Sequence, residues 1–185
     1  MSKKCVQLKI TEREQAAIDF ATQAHEGQKR KSGEPYIIHP LAVMNILREW
    51  GMDEDTVIAG VLHDTVEDTG VTLDEIKEKF GETVAFLVDG VTKLGKARQG
   101  MRDIDTYLPA TKDNLLRLLI ATGADIRVLI IKLADRLHNL RTLSALPPEK
   151  QKKIGKESLE IFSPLADRLN MGRLRVEISD IAFSY

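Results

Sequence analysis

The residues with the clearest chemical potential lie together in Leu62–Asp68, which reads L-H-D-T-V-E-D. The stretch follows the apolar run Val57, Ile58, Ala59, Val61 and Leu62, so it reads as part of a buried helix. At 100° per residue, His63, Asp64, Glu67 and Asp68 fall within an arc of about 140°. Four polar groups on one arc of a core helix are costly unless they bind something. A metal ion would satisfy them, because hard carboxylates and a borderline imidazole suit a divalent cation. A solvated acidic face closed by a histidine is the competing reading, and this stretch alone weighs the two equally.

A second polar set lies on Asp125–Leu140, which is apolar at Ile126, Val128, Leu129, Ile130, Ile131, Leu133, Ala134, Leu137 and Leu140. Lys132, Asp135, Arg136 and Asn139 stand at i, i+3, i+4 and i+7 and form one stripe along it. A stripe of this kind usually faces solvent. Here the unbroken apolar run Val128–Ile131 implies burial on most sides, so the stripe reads as facing an internal cleft, with Asp135 available as a further ligand. His39, beside Pro40, is by itself a structural residue and gains meaning only with partners.

The remaining chain must position these groups. Thr11 with Glu14 forms a capping box before a helix running to about His25, and Thr72 with Glu75 forms a second one before a short helix stopped by Gly81. Gly27–Pro35 is a loop with three consecutive basic residues, Lys29, Arg30 and Lys31, which read in isolation as solvated charge. A helix from about Pro40 to Trp50 is terminated by Gly51, and Asp53–Thr56 opens the helix that carries the histidine–aspartate pair to about Thr69-Gly70. Glu82–Gly90 is a short helix, and Val91–Pro109, with Gly95, Gly100, Pro109 and four basic residues, reads as a mobile basic loop. Asn114–Thr122 is amphipathic, Glu149–Leu169 is a helix after Pro147-Pro148, and Leu174–Tyr185 is a last amphipathic piece. The pattern is all-α, with roughly eight helices.

The chain has 185 residues, enough for one domain with a sizeable core. With 27 Lys plus Arg against 28 Asp plus Glu, the formal charge is −1, which argues against a primary nucleic-acid or anionic-membrane surface. The lone Cys5 fits a reducing cytosol, Met1–Ile10 lacks a signal-peptide pattern, and no run reaches the ~18 apolar residues of a membrane span. A cytoplasmic location is the expectation.

The adjacent pair His63-Asp64, with the earlier His39 and the later Asp135, resembles the HD superfamily of metal-dependent phosphohydrolases. The segments Arg30–Pro40, His63–Thr69, Val88–Leu94 and Lys132–Leu143 resemble the hydrolase domain of the Rel/SpoT alarmone enzymes, and the likeness runs from about Ala17 to Tyr185. The resemblance implies an HD-domain helical bundle that removes the 3′-pyrophosphate of ppGpp or pppGpp, with one Mn²⁺ as cofactor and Zn²⁺ as a competitor for a mixed N/O site. It also implies that His39, His63, Asp64 and Asp135 hold the metal, and that Glu67 and Asp68 position and deprotonate the attacking water. Arg30, Lys31, Ser32, Asn139 and Thr142 would bind the nucleotide. His138 is expected to pack against a neighbour, and His25 to contact a helix dipole.

One departure stands out: the family's Glu-Asn-x-Arg-Lys element is Asp113-Asn114-Leu115-Leu116-Arg117 here. The segment 159–185 resembles the link to a synthetase domain, so the expected division is a hydrolase domain over 1–158 and a linking segment over 159–185. An attached synthetase domain is the expected partner. A hydrolase for another nucleotide such as NADPH, and a non-catalytic alarmone-binding module, are the alternatives.

Overall fold

A computed structural model describes residues 9–104 and 125–185, with side chains from 9–95 and 125–185. Cys5, the amphipathic stretch 114–122 and the Asp113–Arg117 element lie outside the described residues. The order of helices is α1 (Glu12–Ala24), α2 (Ile38–Glu49), α3 (Glu54–Leu62), α4 (Thr65–Asp68), α5 (Leu73–Phe80) and α6 (Glu82–Ile104). There follow α7 (Ile126–Arg141), α8 (Pro148–Glu157), α9 (Ser163–Arg168) and α10 (Gly172–Phe183). Eight of these have eight residues or more, α4 and α9 being the short ones. Among the described residues there is no strand beyond the isolated bridge Lys29–Pro35, so the all-α expectation holds.

Helix α3 is the hub. Every residue from Thr56 to Leu62 is buried, as expected for a helix apolar on all sides. It packs against α1, α2, α6 and α7. The backbones of α2 and α3 meet at Gly60, where an added Cβ would lie 2.3 Å from Cδ1 of Leu47. Both expected capping boxes form, Thr11 with Glu14 and Thr72 with Glu75. Gly51 and Gly81, which end the preceding helical runs, adopt φ of 72° and 96°, a region that only glycine enters without strain. The C-terminal elements close the bundle: Phe162, Leu165, Leu174 and Ile178 are all buried, and α10 packs against α7, α8 and α9.

The structure corrects the sequence reading in three places. First, the helix carrying the histidine–aspartate pair is broken at that pair: α3 stops at Leu62, and Asp64 (φ −97°, ψ −9°) opens the single turn α4. Side chains take the carbonyls that the break frees, since the Thr65 hydroxyl donates to Leu62 O at 2.7 Å and His63 Nδ1 to Gly60 O at 2.7 Å. Second, Val91–Ile104 is helix, continuous with Glu82–Gly90 in α6. Its glycines mark close packing and not termination, since a Cβ on Gly90 would come 2.7 Å from Val128 Cγ2. Third, the expected helix 149–169 is interrupted by a π-helical turn, Ser158–Phe162. Pro164 lacks the N–H that would bond Glu160 O, and a widened turn accommodates the missing donor.

Candidate metal centre and active site

Three elements bring the polar residues together. His39 comes from the first turn of α2, His63 and Asp64 from the break after α3, and Asp135 from the middle of α7. A straight helix would point adjacent residues about 100° apart. The break lets both members of the pair face one centre, where His63 Nε2 lies 3.1 Å from Asp64 Oδ1. His39 Nε2 lies 3.2 Å from Asp135 Oδ1 and 3.5 Å from Asp64 Oδ2, and His63 Nε2 lies 3.9 Å from Asp135 Oδ1. One donor atom each from His39, His63 and Asp135 falls within a sphere of mutual distances of 4.8 Å, and Asp64 stands at its edge with an oxygen toward each imidazole.

The donor chemistry fits a divalent cation. His63 is fully buried and its Nε2 has no hydrogen-bond partner, although such an atom is expensive to leave unpaired. Because His63 Nδ1 is committed as a donor to Gly60 O, Nε2 offers its lone pair to the centre. His39 is arranged likewise: its Nδ1 is 2.8 Å from Nδ1 of His138. Burial pushes the His138 imidazole down to about 4, helped by His39 and Arg30, so His138 is neutral, and its contact engages His39 Nδ1 while His39 Nε2 faces the carboxylates. Lys132 Nζ lies 2.7 Å from Asp135 Oδ2, while Oδ1, which accepts from Asn139 Nδ2 at 2.5 Å, is the oxygen that faces both imidazoles. Burial opposes ionisation of Asp135, yet Lys132 and the imidazoles hold its carboxyl well below the usual range.

The expected water-activating pair lies on α4. Glu67 and Asp68 are both accessible to solvent. The Glu67 carboxylate rests against α6, with Oε1 3.0 Å from the point where a Cβ on Gly95 would stand. Burial there, with Asp64 and Asp68 nearby, pushes its pKa above the ordinary glutamate value against the pull of Lys132. Asp68 meets the Tyr36 hydroxyl at 2.8 Å.

A cleft of about 770 Å³ opens over the centre. Its floor includes His39, Asp64 and Asp135, and all five expected nucleotide-binding residues, Arg30, Lys31, Ser32, Asn139 and Thr142, are on its walls. Arg30 Nη2 donates to Asn139 Oδ1 at 3.0 Å, linking the basic loop to α7. The stripe on α7 therefore does face a cleft: Lys132, Asp135, Arg136 and Asn139 all line it. His63 lies behind the floor, and Glu67 and Asp68 stand on α4, outside the cleft lining.

Several residues of this site escaped sequence reasoning. His138 does pack against a neighbour, and that neighbour is the candidate ligand His39, with ring centroids 4.9 Å apart and the two Nδ1 atoms 2.8 Å apart. His25 stands at the C-cap of α1, where it stacks on Tyr36 (centroids 4.6 Å apart) and meets Gln28 Oε1 at 2.9 Å. Lys150, on α8, reaches the cleft mouth and pushes the Lys31 ammonium below its usual range through hydrogen bonding and repulsion. No local signal marks Lys150.

The HD-domain family model matches residues 17–172. The chain belongs to the HD-domain family, and within it to the Rel/SpoT group. It is 51% identical, over 92% of its length, to guanosine-3′,5′-bis(diphosphate) 3′-pyrophosphohydrolase of Aquifex aeolicus, and covers 23% of that protein. It is also 51% identical, over 91% of its length, to GTP pyrophosphokinase of Streptomyces coelicolor, covering 19% of it. The chain thus spans about a fifth of the curated relatives it matches. Among solved structures it is similar to one described as a metazoan ortholog of SpoT that hydrolyzes ppGpp and plays a role in starvation responses. That match has a TM-score of 0.68 and 27% identity and covers 92% of this chain and 94% of the other.

Proposed function

We infer that this domain hydrolyses the 3′-pyrophosphate of ppGpp and pppGpp, giving GDP or GTP and pyrophosphate. The observation that carries the reading is the convergence of His39, His63, Asp64 and Asp135 beneath a cleft whose rim is basic. A substrate with a phosphate group at each end suits a cleft with an acidic, metal-binding floor and a cationic mouth. The names of the Aquifex relative and of the SpoT ortholog support the same substrate.

His39, His63, Asp64 and Asp135 would hold a single divalent ion, with Mn²⁺ as our assignment and Zn²⁺ as its competitor. When bound, such an ion would supply Lewis acidity toward a phosphoryl oxygen and water. Glu67 and Asp68 orient the attacking water and accept its proton. Glu67 suits this role because its raised pKa makes it a stronger base than an ordinary glutamate. Arg30 and Lys31, with Ser32, Asn139 and Thr142, seat the nucleotide, Arg30 being suited to paired contacts with phosphate or base. The water oxygen bonds to the phosphorus next to the ribose 3′ oxygen, the P–O bond to the 3′ oxygen breaks, and that oxygen takes up a proton.

Among the described residues no helix is long and apolar enough to cross a membrane. A cytoplasmic enzyme joined to a synthetase domain in its full-length form completes the reading, in keeping with the greater length of the relatives.

The test is pyrophosphate release from ppGpp with Mn²⁺ and again with chelator. Metal-dependent release yielding GDP is expected, and no release from metal-loaded protein would overturn the assignment. Asp64→Ala should abolish hydrolysis and metal retention together, whereas Glu67→Ala should keep the metal and lose turnover by at least ~100-fold. Glu67→Ala with full turnover would remove Glu67 from the mechanism.

A further inference from the structure

The Tyr36 hydroxyl lies 2.8 Å from Oδ2 of Asp64 and 2.8 Å from Oδ2 of Asp68. A phenol has one proton to donate, so it serves one carboxylate at a time. The ring is held where it stands. It stacks on buried His25, and the Tyr36 backbone N–H donates to Gln28 O at 3.0 Å. Gln28 braces the same unit twice, with Oε1 2.9 Å from His25 Nδ1 and Nε2 donating to the Asp68 carbonyl at 2.9 Å. His25, Gln28 and Tyr36 thus form a bracket across the end of α4, a single turn whose exposed carboxylates would otherwise sample several rotamers.

We propose that Tyr36 is a positioning residue for Asp68: with a divalent cation on Asp64, the phenol donates to Asp68 and holds that carboxylate where it receives the proton of the attacking water. The proposal rests on the hydrolase reading above. Its physical basis is charge compensation. A cation drawn to Asp64 satisfies that carboxylate, which leaves the single phenolic proton for Asp68. A misplacement of about 1 Å of a reacting group can cost about 100-fold in rate, so a lost positioning bond is visible in turnover.

The experiment compares wild type, Tyr36→Phe, Asp68→Asn and the double variant in Mn²⁺-dependent pyrophosphate release from ppGpp, with Mn²⁺ affinity measured separately by calorimetry. Tyr36→Phe is expected to lower kcat by about 10- to 100-fold with KM within about twofold. Its Mn²⁺ dissociation constant should stay within about threefold of wild type, and in the Asp68→Asn background the same change should cost less than about threefold. Wild type inactive with bound Mn²⁺ would overturn the hydrolase reading, and this proposal with it. With wild type active, an unchanged kcat in Tyr36→Phe overturns the proposal alone. So does an undiminished loss in the Asp68→Asn background. A Mn²⁺ affinity lowered more than about tenfold would mean that the phenol serves Asp64, or the fold, and overturns the proposal as well.

Discussion

At the residue scale, each imidazole of the centre has one nitrogen committed away from it. His63 Nδ1 is tied to Gly60 O, which leaves its Nε2 pointing inward with a lone pair, and His39 Nδ1 is engaged by His138 while its Nε2 points the same way. Without a metal that arrangement attracts protons. Burial alone would push the His63 imidazole down, but Asp64 and Asp135 outweigh it and raise it to about 9. At neutral pH a divalent ion must therefore displace a proton from His63. Raising the pH removes this competitor, so Mn²⁺ affinity should climb from pH 6 to about pH 9 and then level off. Calorimetry at pH 7.5 in buffers of different ionisation enthalpy should count about one proton released per ion. An affinity flat across that interval would take His63 out of the ligand set.

At the scale of elements, the two glycines of α6 have opposite tasks. Gly90 meets the packed side chain of Val128, while Gly95 meets the free end of Glu67. An alanine at either site gains up to ~1 kcal/mol of helix propensity. At position 90 the added methyl overpacks the junction of α6 and α7, typically at a cost of ~1–3 kcal/mol, so Gly90→Ala should lower the melting temperature. At position 95 the carboxylate can swing aside, so Gly95→Ala should melt no lower than wild type while kcat falls several-fold. Equal activity in wild type and Gly95→Ala would show that Glu67 needs no seat on α6. These contacts explain why sequence reading ended a helix at Gly90: a glycine that admits a neighbour and a glycine that ends a helix look alike in one dimension.

On the scale of the whole molecule, the segment after Ser158 covers the bundle. Phe162, Leu165, Leu174 and Ile178 are buried in the common core, and the guanidinium of Arg136, next to Asp135, lies over the Phe162 ring at 4.2 Å and bonds Glu157 at 3.1 Å. Burying each large apolar side chain is worth ~1.5–3 kcal/mol, so the four together approach the ~5–15 kcal/mol that holds a domain folded. A chain cut after Ser158 should lose its cooperative melt, followed by circular dichroism. An unchanged melting temperature would make 159–185 a separate appendage, as the division at residue 158 first suggested.

Local order and ligand chemistry were legible in the sequence because they are written in near neighbours. Both capping boxes, the buried character of α3 and the polar stripe on α7 follow from spacings of three and four residues. His39, His63, Asp64 and Asp135 could be named because the adjacent pair and its outlying partners resemble a known family. What distant segments do to one another was decided only in three dimensions. The helix breaks between Leu62 and Thr65 because side chains take over the freed carbonyls, and that break aims two adjacent residues at one centre. Tyr36 meets Asp64 and Asp68 from a loop 28 and 32 positions away, and His138 meets His39 across 99. Periodicity reports which face of an element is buried; it carries no record of which side chain waits on the other side, and here that partner sets the ring and carboxylate positions on which the chemistry depends.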